Sequence, residues 1–110
     1  MKIKNLTPHA LNFPEVQDGM TISPETQPAR VSVHTEDAGF SVNKIPVTEN
    51  IYGQVENLPD YEEEPHTIYI VSLLVAQASP GRKDLFIVNE TIRDENGRIV
   101  GARSIAQNPF

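Results

Sequence analysis

The stretch Thr67-Ile68-Tyr69-Ile70-Val71-Ser72-Leu73-Leu74-Val75-Ala76-Gln77-Ala78-Ser79-Pro80-Gly81 decides the fold. Its first five residues are apolar on both faces, the pattern of a strand buried in the middle of a sheet. Ser72 then stands where a hydroxyl can accept from an amide one turn into a helix. Residues 73–78 form that helix, about two turns long, nearly all apolar and expected to be buried. Gln77 is its one polar side chain and needs partners in such a setting. Ser79-Pro80-Gly81 stops it, because proline cannot continue a helix.

Short β-type runs lie on both sides. Downstream, residues 84–88 read as a strand. Residues 91–94 and 98–103 then form a hairpin across Glu95-Asn96-Gly97, where Asn-Gly supplies the positive φ of the reversal. Upstream, residues 2–6 read as a strand ended by Thr7-Pro8, and residues 10–13 continue it. Asp18-Gly19 marks a turn. Residues 29–34 alternate apolar and polar, as a half-buried strand does. Residues 40–42 and 45–47 flank a turn at Asn43-Lys44. Residues 51–55 make another strand, with Gly53 as a bulge or close-approach point. The tail 107–110 reads as frayed. Nine prolines and six glycines leave no room for long helices. The expectation is a single mainly β (α+β) domain over 1–110. It is a small antiparallel β barrel or roll with one short buried helix near residues 72–78 and a C-terminal β-hairpin.

At 110 residues the chain has the length of one domain. It contains no cysteine, which removes disulfides, thiolate metal sites and thiol nucleophiles together. No stretch approaches the roughly 20 apolar residues of a membrane span, and the first residues show no signal-peptide pattern. The net charge of −6 argues against long nucleic acid, whose affinity comes largely from neutralised phosphates. That charge is uneven. Residues 1–81 carry four basic and eleven acidic side chains, whereas residues 82–110 carry five basic and four acidic ones. The acidic run Glu62-Glu63-Glu64 reads as a solvated loop, since it lacks the alternate spacing of a calcium loop.

Standard catalytic and nucleotide-binding motifs are absent, and His9, His34 and His66 have no metal-ligand spacing, so neither a cofactor nor a metal is expected. Three features carry chemistry. In an extended Asn5-Leu6-Thr7-Pro8-His9, the side chains of Asn5, Thr7 and His9 project to one side. They are either a hydrogen-bonding array for a ligand or local braces of the bend at Pro8. Arg93, Arg98 and Arg103 are guanidinium forks suited to phosphate or carboxylate oxygens. Pairing with neighbouring carboxylates is the alternative, favoured for Arg98. Arg98 and Arg103 point to opposite faces unless Gly101 makes a bulge. Tyr69 is either a core residue or a stacking wall for a ring. Arg82 and Lys83 are explained by the helix C-terminus before them.

The segment Asn5-Leu6-Thr7-Pro8-His9-Ala10 resembles the start of a group of small proteins from phages, prophages and bacteria. Similar segments in that group match Ile51-Tyr52-Gly53-Gln54-Val55-Glu56-Asn57-Leu58-Pro59, residues 69–78 and residues 91–103, so the resemblance spans nearly the whole chain. It implies a genomic setting, and with it the cytoplasm of a bacterial host, but no mechanism. By analogy, small phage proteins can sequester nucleotide-derived immune signals. The expectation is a non-enzymatic binder of a small anionic ligand, with Asn5, Thr7, His9, Tyr69, Arg93 and Arg103 as contacts. A hydrolase using His9 or His34 as acid/base is the alternative. A structural or protein-interaction module is a third reading, and a homo-oligomer is compatible with all of them.

Overall fold

A computed structural model describes residues 1–110. The hub is a four-stranded mixed sheet in the order β1-β6-β7-β8. Strand β1 (Lys2–Asn5) and strand β7 (Leu85–Arg93) flank β6 (Thr67–Ile70) in parallel, and β8 (Ile99–Gln107) adds antiparallel to β7. The central position expected of residues 67–71 is therefore met, with Thr67, Tyr69, Ile70 and Val71 buried.

The antiparallel barrel is not formed. Parallel partners need a crossover, and the segment from Ile70 to Leu85 supplies one through the helix α1 (Leu73–Gln77). The sheet stays open, with β1 and β8 at its edges. Residues 24–29 run along the β1 edge through Asn5–Pro24 bridging and the Glu25 N–Asn5 O and Ala29 N–Leu6 O bonds. Ser72 caps α1 as its side chain suggests, accepting from Val75 N at 3.3 Å. The helix is less buried than its composition implies. Only Val75 and Ala76 are buried, and Gln77 is exposed, so it needs no internal partner.

Alternation along β6 splits the core between two faces. Tyr69 and Val71 face α1 and pack with Leu6, Ala29, Val31, Val75, Ala76 and Leu85. Ile70 faces the other way, where it lines a groove with Phe13, Met20 and Ile22. Those residues belong to a separate hairpin of β2 (Leu11–Phe13) and β3 (Met20–Ile22). Residues 10–13 thus start a new sheet and do not prolong β1. A Cβ on Gly101 would lie 3.0 Å from both Asn12 O and Pro14 Cδ, so β2 rides closely on β8 and a side chain there would have to push it back by a few tenths of an ångström.

Strands β4 (Arg30–Val42) and β5 (Ile45–Glu56) form one long hairpin where sequence patterning suggests several short strands. The turn at Asn43-Lys44 falls as expected, with φ of 48° and 68° suited to a two-residue reversal. The ladder slips between Val31 and Val33, where Gly53 passes close to the Ser32 side chain, as the bulge reading of Gly53 requires. Only the base of this hairpin joins the core, through Ala29, Val31 and Val55. No residue from 32 to 54 is buried. The hairpin is an arm. The radius of gyration is 16.8 Å, against about 13 Å for a compact domain of this length.

The C-terminal hairpin forms across residues 94–98, with Gly97 at φ 78° and Asp94 Oδ1 accepting from Asn96 N and Arg98 N. The tail is not frayed. Asn108 is buried, donates to Ser79 O and Arg82 O, and accepts from Phe110 N. Gly81 N donates to Phe110 O, so the tail closes over the end of α1.

Candidate functional site

The first two parallel strands end in segments that converge. Strand β1 runs into Thr7-Pro8-His9 and β6 into Val71-Ser72-Leu73. Together with Ile87 and Val88 of β7 and with Leu11, these residues line a cleft of about 470 Å³. A second cleft of about 360 Å³ adjoins it, sharing His9, Leu11 and Val88 and reaching Ile99 to Ala102 on β8. Ligands in open sheets with parallel strands commonly sit outside the carboxyl ends of those strands, where loops diverge.

Asn5 builds the wall of this cleft and does not line it. Its buried amide donates to His9 O at 2.7 Å and to Ile22 O at 3.1 Å. Its Oδ1 accepts from Thr7 N at 2.9 Å and from Thr7 Oγ1 at 2.6 Å. The local-brace reading therefore applies to Asn5 and to the Thr7 hydroxyl, which also lies 3.0 Å from His9 O, and together they fix the loop that presents His9. Thr7 and His9 line the cleft, and the His9 side chain makes no hydrogen bond there. Ser72, Leu73, Ile87 and Val88 were not singled out from sequence as cleft residues. Ser72 was legible as a helix cap, and nothing in its sequence context marks it as a wall as well.

Neither cleft around His9 contains a carboxylate. A larger cleft of about 600 Å³ lies at the opposite end of β6, between Met1, His66, Lys83 and Gln107. It is edged by Glu62, Glu64 and Asp84, which makes it hostile to an anion.

The remaining expected contacts lie elsewhere. The Arg93 guanidinium donates to Gly97 O at 2.7 Å and braces its own hairpin. Arg103 pairs with Glu15 at 3.1 Å and borders the apolar groove behind Ile70. A bulge does occur near Gly101, between the Ile92 and Arg93 pairings; Arg103 is held by Glu15, and Arg98 makes no ion pair. Tyr69 is a core residue whose ring is shut off from solvent, so no face is free for stacking. Its hydroxyl is buried without a hydrogen-bond partner. Burial raises the Tyr69 pKa, and the negative charge of Glu64 adds to that rise.

Two ion pairs flank this hydroxyl. Lys4 Nζ donates to Glu64 at 2.8 Å, which raises the lysine pKa. Arg82 holds Asp84 through two bonds of 2.9 and 2.8 Å, donates to Pro59 O and lies 5.6 Å from the Tyr61 ring centre. The Asp84 bonds raise the arginine pKa. The acidic loop 57–66 is thus strapped to the body by Lys4 and Arg82. Glu64 is not simply solvated as the charge run suggests, whereas Glu62 is exposed.

The architecture defines an open mixed-sheet β protein with one βαβ crossover and a projecting ribbon. No family model matches the chain, no curated protein matches it, and no solved structure matches it.

Proposed function

We propose that the protein binds a small anionic ligand without transforming it, in the cleft lined by Thr7, His9 and Ser72. The observation that carries this reading is a cleft at the strand ends that is free of carboxylates in a chain of net charge −6. Ser72 and His9 offer hydroxyl and imidazole donors beside the Thr7 hydroxyl, whose proton is held by Asn5, while Leu11, Ile87 and Val88 offer an apolar floor. That combination suits a ring carrying a phosphate or carboxylate edge, as in a nucleotide derivative. Arg93 and Arg103 take no part in this form of the proposal. The sequestration of a host-derived nucleotide signal is the role proposed for such binding.

The hydrolase reading has less support. His9 has no carboxylate among the cleft residues to orient its ring, and Thr7 Oγ1 is engaged with Asn5. His34 lies on the arm, 3.3 Å from Glu36, and lines none of the clefts described above. Thermal-shift titration against cyclic mononucleotides, cyclic dinucleotides and ADP-ribose derivatives tests the proposal. A ligand at about 100 Kd adds about 2.7 kcal/mol to stability. Recovery of that ligand chemically unchanged after denaturation is the expected result. A flat response across the panel removes the binder, and product that disappears in His9→Ala replaces it with the hydrolase.

A further inference from the structure

The β4–β5 arm exposes apolar side chains that nothing in its own chain covers. Phe40 is 58% exposed, Ile45 66% and Tyr52 55%, and Val33, Val42 and Ile51 are also exposed. An isolated two-stranded ribbon is marginally stable in water. A second observation concerns charge. Glu36 and Glu49 stand directly opposite each other in the ladder, where like charges repel. Neither is paired with a lysine or arginine, and the only basic group beside them is His34, 3.3 Å from Glu36. On the same face, Ile51 pairs with His34.

The complement of this surface occurs on the same molecule. The β7–β8 hairpin exposes Ile99 and Val100 beside Arg93 and Arg98. Arg98 makes no ion pair, and Arg93 engages only the carbonyl of Gly97 through its guanidinium.

We propose that the arm is an intermolecular interface and that its occupant is a second copy of this chain. Glu36 and Glu49 of one copy lie against Arg93 and Arg98 of the other, and Ile51 with the apolar tip covers Ile99 and Val100. The two surfaces differ, so the contact is heterologous. Reciprocal exchange closes it as a dimer, and one-way exchange extends it as a ring or chain. The acidic stem disfavours an anionic membrane surface as the occupant of the apolar tip.

Light scattering coupled to size exclusion tests this with full-length protein. The wild type is expected at a multiple of 12.2 kDa, with an apparent Kd that weakens as salt rises. The double variants Glu36→Arg/Glu49→Arg and Arg93→Glu/Arg98→Glu are each expected to weaken self-association by about tenfold or more. Mixing the two is expected to restore a complex, because the reversed charges face one another again. Circular dichroism of each variant checks that the fold survives, and the mixing result stands even if one variant is less stable. A wild type that stays at 12.2 kDa across the concentration range overturns the proposal. So does self-association unchanged by either reversal, or binding of the arm to anionic vesicles that outcompetes self-association.

Discussion

At the residue scale, two asparagines hold the ends of the chain. Asn5 makes four side-chain hydrogen bonds in a buried setting, and Asn108 makes three. Truncation leaves buried partners unpaired, which costs about 1–3 kcal/mol per site. Asn5→Ala should therefore lower stability by about 2–3 kcal/mol in urea unfolding and also disorder the Thr7–His9 loop. A loss below about 0.5 kcal/mol would show that the braces are not formed. Tyr69 behaves in the opposite way. Its hydroxyl is buried and unpaired, so Tyr69→Phe should leave stability unchanged or raise it by up to about 1 kcal/mol. The pH dependence follows from the raised Tyr69 and Lys4 pKa values. Below about pH 10 folded and unfolded chains hold the same protons on these groups. Above it the unfolded chain loses them first, so stability falls as pH rises. The Tyr69 share of that loss should vanish in Tyr69→Phe, read from urea midpoints between about pH 8 and 11. A Tyr69→Phe profile identical to the wild type would show that the hydroxyl is hydrated.

At the scale of elements, the sequence was most informative where local chemistry is decisive. The uniform apolar run of β6 marks a central strand, Ser72 marks the start of α1, and the Asn43-Lys44 and Asn96-Gly97 turns mark two hairpins. It was least informative about pairing. Parallel or antiparallel partnership of β6 depends on residues far apart in the chain, which no local period encodes. Sequence patterning suggests the short strands 29–34, 40–42, 45–47 and 51–55 in this region, yet the ladder joins them into two long strands of a free ribbon. Gln77 and the tail were misjudged for a related reason, since burial is set by neighbours. Arg98, the late arginine most expected to pair with a neighbouring carboxylate, makes no ion pair, whereas Arg93 engages Gly97 O and Arg103 pairs with Glu15. Gly101→Ala tests the stacking of β2 on β8. Its Cβ would press on Asn12 O and Pro14 at 3.0 Å, and the expected loss is about 1–3 kcal/mol. Unchanged stability would mean that the β2–β3 hairpin moves away freely. For the arm, amide hydrogen exchange across 32–54 should be faster than in β6 and β7 at low concentration and slow as concentration rises. Exchange independent of concentration would leave the arm uncovered.

For the whole molecule, charge sorts the surface into regions with different uses. The acidic loop 57–66 is clamped by Lys4 and Arg82 over one end of the sheet. The C-terminal arginines stand at the far hairpin and on Glu15. Between these regions, the ends of β1 and β6 open on a cleft with no carboxylate. The polar residues at 5, 7 and 9 were legible in sequence, but the bracing by Asn5 and Thr7 and the placing of Thr7 and His9 in the cleft depended on how the loop folds back. Nitrogen-labelled protein titrated with the nucleotide panel, followed by amide chemical shifts, tests the central claim most directly. The account expects shifts clustered at Thr7, His9, Ser72 and Val88, and their loss in His9→Ala with the fold intact. Shifts centred on residues 61–68 and Lys83, or no shifts with any nucleotide, would contradict it.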